Sequence, residues 1–269
     1  MRPFNTLAIR LALGFTCVLA QPLFAAESTI AVASNFTLVM QEIVQRFQQE
    51  TPHRIHPAYA SSGKLYAQIY HGAPYDAFLS ADQDKPQRLI QQGLAIPSSA
   101  FTYAEGRLAL WSANPLTVDS QGSVLTSGAF NKLALANPKL APYGVAAVQT
   151  LNHLGLQEAT RPLWVQGENI GQTYQFVRSA NAQLGFVALS QIQRPQIQQP
   201  QATIEGSQIP LGSAWIVPNE FYSPIKQDAV LLQRGHNNPA TLALLDYLKT
   251  PDIQALIASY GYHMAANGR

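Results

Sequence analysis

Short β-like runs alternate with helical patterns along this chain, with small polar residues or glycine at the junctions. Ser28–Ala33 is apolar and rich in β-formers, and from Leu38 onward apolar residues recur at helical spacing. Ser34 and Asn35, between the two, are typical N-cap residues. Further strand-like runs occur at Arg54–Tyr59, Asp76–Ser80, Arg107–Trp111, Lys132–Ala136, Leu184–Leu189 and Leu211–Val217. This alternation predicts an α/β fold with mostly parallel sheets.

The first 26 residues have the pattern of a secretory signal peptide. Arg2 and Arg10 precede the apolar run Leu11–Leu23, which ends in the small residues Ala25 and Ala26. Such a run is too short to span a bilayer with these flanks. We expect residues 1–26 to be removed and the mature protein to be exported to the periplasm.

Composition restricts the partners and the chemistry. The chain has 17 Lys and Arg against 15 Asp and Glu, and two of the basic residues lie in the leader, which leaves 15 of each sign. No basic cluster points to nucleic acid. The one cysteine, Cys17, also lies in the leader, so we expect neither disulfides nor thiolate metal sites. The later residues contain no run that is long and apolar enough to span a membrane.

No catalytic motif stands out. The sequence contains no HExxH, GxSxG, P-loop or paired-carboxylate pattern. We therefore predict that the protein is not an enzyme and needs no cofactor, with an exported hydrolase as the alternative from a different class.

Four small polar turns, each opening a predicted helix, carry the functional signal. The first residues of a helix leave backbone N–H groups unpaired at its positive end, which favours bound anions. In parallel α/β folds such turns lie at the carboxyl ends of strands, where ligands bind. Ordinary N-capping explains any single turn equally well. The four turns are Ser34-Asn35, Ser61-Ser62-Gly63, Pro142-Tyr143-Gly144 and Asn169-Ile170-Gly171.

Six stretches resemble one known family. They are AVASNF (31–36), YASSGKLYAQI (59–69), HGAPYDAFLSADQ (71–83), ANPKLAPYG (136–144), LGFVALSQ (184–191) and RGHNNPATLALLDYLKTP (234–251). In this order they resemble the periplasmic molybdate-binding protein family (ModA), from about Ser28 to Gly261. That family is the substrate-binding component of the ABC importer for molybdate and tungstate. The resemblance implies a monomeric receptor that delivers its oxyanion to an inner-membrane permease with its ATPase.

The resemblance also implies a type II periplasmic binding protein, with two α/β lobes, a two-segment hinge and the ligand in the cleft. The hinge crossings are expected near Ala104–Arg107 and Glu205–Leu211. The first lobe then comprises residues 27–104 and 211–269, and the second lobe comprises residues 105–210.

The family's oxyanion-binding positions carry over onto five residues. Their donors are uncharged and would hold molybdenum only as its oxyanion, with no direct metal ligand. Ser34, Ser62 and Tyr143 offer hydroxyl protons, Asn35 offers amide or backbone N–H protons, and Ile170 offers only its backbone N–H. The first three positions in chain order, Ser34, Asn35 and Ser62, belong to one lobe and the other two to the second.

One departure and several alternatives accompany this reading. Some members place a tyrosine near the end of the strand that matches LGFVAL, where this chain has Ala188. A related binding protein for sulfate, another oxyanion or ferric ion is the alternative within transport. Lys64 and Glu168 flank the site motifs, and we expect both side chains to be solvated.

Overall fold

A computed structural model describes residues 25–193 and 212–264, which form alternating strands and helices. The strands among them are β1 Glu27–Ala33, β2 Arg54–Ala60, β3 Ala77–Leu79, β4 Phe101–Gly106, β5 Leu108–Ser112, β6 Leu133–Ala136, β7 Trp164–Gly167, β8 Leu184–Ala188, β9 Ser213–Ile216 and β10 Ile225–Leu231. The α-helices are α1 Thr37–Glu50, α2 Ser62–Tyr70, α3 Asp84–Gln91, α4 Val124–Ser127, α5 Pro142–His153, α6 Gln157–Thr160, α7 Ile170–Arg178, α8 Leu189–Ile192, α9 Pro239–Tyr247 and α10 Pro251–Ser259. A 3-10 turn, Ser34–Phe36, joins β1 to α1.

The strands form two mixed sheets, each of five strands. The first has the order β2-β1-β3-β10-β4 and the second β7-β6-β8-β5-β9. β1 pairs in parallel with β2 and β3, and β6 pairs in parallel with β7 and β8. β10 and β5 run antiparallel to both of their neighbours. The expectation of mostly parallel sheets is therefore wrong for half of each sheet, because strand alternation does not reveal a strand that enters from the other lobe.

Each sheet and its helices form one lobe, and the chain crosses between lobes twice among the described residues. β4 in the first sheet ends at Gly106 and β5 in the second begins at Leu108. On the return, β9 still pairs with β5, and the chain re-enters the first sheet at Ile225. The lobe boundary predicted at residue 211 is thus too early, because strand character alone did not show which sheet β9 joins. The predicted crossing Glu205–Leu211 lies outside the described residues, as does residues 1–24 of the leader.

Two apolar clusters support the two lobes. In the first lobe, Ile30, Val32 and Phe78 are fully buried in and around the sheet, and Phe36 and Phe47 pack from α1 and the turn before it. The second lobe has its own large cluster, which also takes in Ala33 and Ala81 from the first lobe. The lobes are therefore in apolar contact on one side of the sheets. In the part of the chain that the structure describes, no helix combines the length and apolar character needed to cross a membrane.

Candidate functional site

One small cavity lies where the two lobes meet, at the carboxyl ends of the parallel strands. The turn after β1, α2 after β2, α5 after β6 and α7 after β7 all begin at this edge. Four helix N-termini from two lobes thus converge, and all five predicted residues lie around the same space. Its lining residues are Ala33, Ser34, Asn35, Ser61, Ser62, Ala81, Ala141, Pro142, Tyr143 and Ile170.

Asn35 lines the cavity, but its amide nitrogen is already engaged. Its Nδ2 donates to Gln227 Oε1 (2.9 Å) and to the Tyr262 hydroxyl (3.0 Å). Its Oδ1 is buried and has no hydrogen-bond partner among the described residues. The N–H groups at the start of a helical turn have no intrahelical acceptor, so the backbone N–H of Asn35 is the donor that this arrangement leaves.

Ser62 is held in place by a hydrogen bond that leaves its own proton available. Its Oγ accepts from the backbone N–H of Ala81 at 2.9 Å. In the first turn of α2 the next two N–H groups are paired, Gly63 with Leu140 O (2.9 Å) and Lys64 with Ser61 Oγ (3.3 Å). The backbone N–H of Ser62 has no acceptor among the described residues, so Ser62 can offer two donors to a ligand.

Tyr143 meets the cavity in a different way from the one its side chain predicts. Its hydroxyl accepts from Gln227 Nε2 at 3.2 Å, and a Cβ on Gly106 at the hinge would clash with that hydroxyl. The expected ligand contact through the Tyr143 hydroxyl is therefore replaced by a contact at the hinge. Tyr143 is the second residue of α5, after Pro142, and its backbone N–H has no intrahelical acceptor.

Ile170 is the first residue of α7, and its backbone N–H is likewise left over. Asn169 caps the helix by accepting from Gln172 N at 3.0 Å. The Ile170 side chain is buried in the apolar cluster, and its carbonyl accepts from Gln191 Nε2 at 3.1 Å. Packing and this hydrogen bond fix the residue on both sides, so its N–H has one direction.

The cavity lining carries no charged side chain. Its positive character comes from helix N-termini, whose partial charges favour an anion. Burial raises the pKa of Tyr143 and of Tyr103 well above 10, so both hydroxyls remain protonated. Among the described residues, no group of three or more His, Cys, Asp or Glu side chains could hold a metal ion.

Lys64 and Glu168 are not separately solvated as expected. Lys64 Nζ lies 3.0 Å from Glu168 Oε2, and each side chain remains nearly half exposed. Lys64 belongs to α2 of the first lobe, and Glu168 precedes α7 of the second. The two charges therefore neutralise each other across the cleft, at its rim.

Further contacts hold the lobes in a closed arrangement. The Gly63–Leu140 hydrogen bond crosses the cleft, and Ser190 Oγ donates to Asn35 O at 3.1 Å. A Cβ on Gly171 would lie 3.6 Å from Ser34 Cβ in the opposite lobe. In this arrangement, donors from both lobes reach the same space.

The residues that support the site were not found from the sequence. Tyr103, Ser190, Gln227 and Tyr262 are buried and hydrogen-bonded to each other or to Asn35 and Tyr143. No local pattern marks them, because they come from four distant segments. Ala188, which stands at the family's tyrosine position, ends β8 and donates its N–H to Gln191 Oε1.

Comparison with known proteins gives consistent matches. The profile of the family "Bacterial extracellular solute-binding protein" matches residues 28–263. The chain is 46% identical to the molybdate-binding protein ModA of Azotobacter vinelandii, with 96% of this chain and 97% of that protein covered. It is 44% identical to ModA of Rhodobacter capsulatus, with 93% and 94% covered. The solved periplasmic molybdate-binding protein of Azotobacter vinelandii superposes with a TM-score of 0.81 and 37% identity, covering 88% of this chain and 99% of that one.

Proposed function

The chain belongs to the bacterial extracellular solute-binding proteins and, among them, to the ModA molybdate-binding family, and we propose that it captures molybdate in the periplasm for import. The observation that carries this proposal is the convergence of four helix N-termini from two lobes on one uncharged cavity. The identity to named molybdate-binding proteins supplies the particular oxyanion. In this function the protein is a receptor, and no catalytic step is needed.

The five lining residues divide the work of holding the oxyanion. We assign the Ser34 and Ser62 hydroxyls and the backbone N–H groups of Asn35, Ser62, Tyr143 and Ile170 as its donors. Hydrogen bonds to a charged group contribute about 1.5–3 kcal/mol each, so a full set offsets much of the desolvation of a dianion. Fixed backbone donors need no reorganisation when the ligand arrives.

Donors on both lobes couple binding to closure. A ligand shifts an open–closed equilibrium only through its higher affinity for one state. In the closed arrangement, Ile170 and Tyr143 reach the same oxyanion as Ser34 and Ser62, so the ligand stabilises that state. A closed, loaded lobe pair is the form that an ABC permease with its ATPase would recognise, and we propose that the receptor acts as a monomer.

Tungstate fits the same donors, because it has the same tetrahedral shape and charge as molybdate. An all-donor lining disfavours hydrogen phosphate, whose O–H needs an acceptor. Sulfate matches the charge but is smaller, so its rejection depends on how closely the donors surround the ion. We propose molybdate and tungstate as ligands, with sulfate excluded by size.

Calorimetric titration tests this assignment. We expect molybdate and tungstate to bind with a Kd of about 1 µM or tighter, and sulfate and phosphate at least about 100-fold more weakly. A buffer-exchanged, refolded sample controls for carried-over ligand. Equal affinity for sulfate would contradict the proposed selectivity, and binding of none of these anions would contradict the function.

A further inference from the structure

A buried polar network lies behind the cavity and joins the two lobes at the hinge. Its centre is Gln227 on β10, which is fully buried. Gln227 Oε1 accepts from Asn35 Nδ2 (2.9 Å) and from the Tyr103 hydroxyl (3.0 Å). Gln227 Nε2 donates to the Tyr143 hydroxyl (3.2 Å). One carboxamide therefore connects a cavity residue of the first lobe to a cavity residue of the second.

The network leaves one polar atom without a partner. Asn35 Oδ1 is buried and accepts no hydrogen bond from the described residues. It lies on the side of the carboxamide away from Gln227 and Tyr262, which Nδ2 faces. A buried acceptor without a donor costs about 1–3 kcal/mol. Beside a bound dianion its cost increases, because its partial charge repels the ligand.

Reversing the carboxamides of Asn35 and Gln227 together removes this conflict. Gln227 Nε2 would then donate to Asn35 Oδ1 and to the Tyr103 hydroxyl, which keeps Ser80 O as its own acceptor at 3.1 Å. The Tyr143 hydroxyl would donate to Gln227 Oε1. Asn35 Nδ2 would take the place of the unpaired oxygen and become a further donor for the oxyanion.

We propose that Gln227 is a positioning residue of the oxyanion site, whose carboxamide orientation decides whether Asn35 presents an acceptor or a donor to the ligand. Oxyanion binding selects the orientation in which Gln227 donates to Asn35. Gln227 does not touch the ligand and acts through Asn35, with a second hold on Tyr143. The inference rests on the proposed function and adds to it a determinant of selectivity outside the cavity lining.

Replacement of Gln227 by glutamate tests this role. An ionised carboxylate can only accept hydrogen bonds, so in Gln227→Glu it keeps Asn35 Nδ2 turned toward it and Oδ1 toward the ligand. A protonated carboxyl can donate and releases Asn35. Burial raises the pKa of such a group. The surrounding titratable groups are Tyr103, Tyr143 and Tyr262, whose pKa values burial also raises, and the carboxylates of Asp82 and Asp228 act on Tyr103.

Calorimetry with molybdate at about pH 8.5 and about pH 5.5 gives the readout. We expect Gln227→Glu to bind about 100-fold more weakly than the original protein at the higher pH and to recover at least about tenfold at the lower one. The original protein, measured at both values, corrects for any change in the ligand. Lys226→Gln makes the same change in charge on the exposed face of the same strand and should bind normally at both values.

Two further variants separate positioning from repulsion and from misfolding. In Asn35→Ala, adding Gln227→Glu should weaken binding by much less than it does alone, since the route through Asn35 is gone. Gln227→Leu leaves Asn35 free to turn and should lose only about tenfold, less than the closer isostere glutamate. That order is opposite to the one that a purely packing role predicts.

The outcomes are distinct from those of the proposed function. If the original protein binds no molybdate, the proposed function is wrong. If it binds, but Gln227→Glu shows an unchanged Kd, equal loss in the Asn35→Ala background, or a lower melting temperature alone, the inference is overturned. Should Gln227→Glu not fold, Gln227→Leu decides: an unchanged Kd overturns the proposal, and a roughly tenfold loss in folded protein supports it.

Discussion

Ile170→Pro removes molybdate binding, whereas Ile170→Val retains it. Proline has no backbone N–H, and Ile170 is the first residue of α7, the helical position that best tolerates proline. The preceding Asn169 has φ −143° and ψ 172°, an extended conformation that suits a residue before proline. The substitution therefore deletes one ligand donor and leaves the helix intact. We expect a loss of about 100-fold or more, measured by calorimetry.

Ile170→Val is the matched control for this change. It shortens the same buried side chain by one methyl group, which costs about 0.5–1.5 kcal/mol of stability, and it keeps the N–H. Thermal melts of both ligand-free variants show whether the fold is retained. Similar Kd values for the proline and valine variants would show that the Ile170 N–H does not hold the ligand.

Gly63→Ala weakens binding by obstructing closure and leaves the donors themselves in place. A Cβ on Gly63 would lie 2.9 Å from Leu140 O, a backbone atom of the opposite lobe. That carbonyl accepts from the Gly63 N–H, so the lobes must separate at this point to admit the methyl group. We expect more than a tenfold loss of affinity, about 1.4 kcal/mol or more. Small-angle scattering should show a smaller compaction on adding molybdate.

The ligand-free variant should be as stable as the original protein or slightly more stable. Alanine in place of glycine favours a helix by about 0.5–1 kcal/mol, and the clash exists only when the lobes are closed. Ala67→Ser, on the exposed face of the same helix, is the control and should bind normally. Unchanged affinity and full compaction in Gly63→Ala would mean that binding does not require the closed arrangement.

The first lobe's βα units could be predicted because each has its own local signals. Ser28–Ala33 and the helical spacing after Leu38 correspond to β1 and α1, and Ser61-Ser62-Gly63 opens α2. The four turns could be brought together on paper because the carboxyl ends of parallel strands share one edge of a sheet. That rule holds for the strands before each turn, even though both sheets proved to be mixed.

Long-range pairing could not be predicted. β10 inserts between β3 and β4, which are far from it in sequence, and this insertion places Gln227 behind the cavity. The same fact decided Tyr143: a tyrosine in a polar turn suggests a hydroxyl ligand, but the hydroxyl is engaged by Gln227 at the hinge. Local sequence identifies helix starts, whereas the choice of donor atom depends on what the other lobe presents.

The position of tungsten in crystals of the tungstate complex tests the central claim most directly, because its anomalous scattering locates the ion independently of the protein atoms. The account predicts one peak inside the cavity lined by Ser34, Ser62, Tyr143 and Ile170. The oxyanion's oxygens should lie within about 3.2 Å of backbone N–H groups from both lobes. A peak held by one lobe only, or by exposed cations such as Lys64 at the rim, would contradict it.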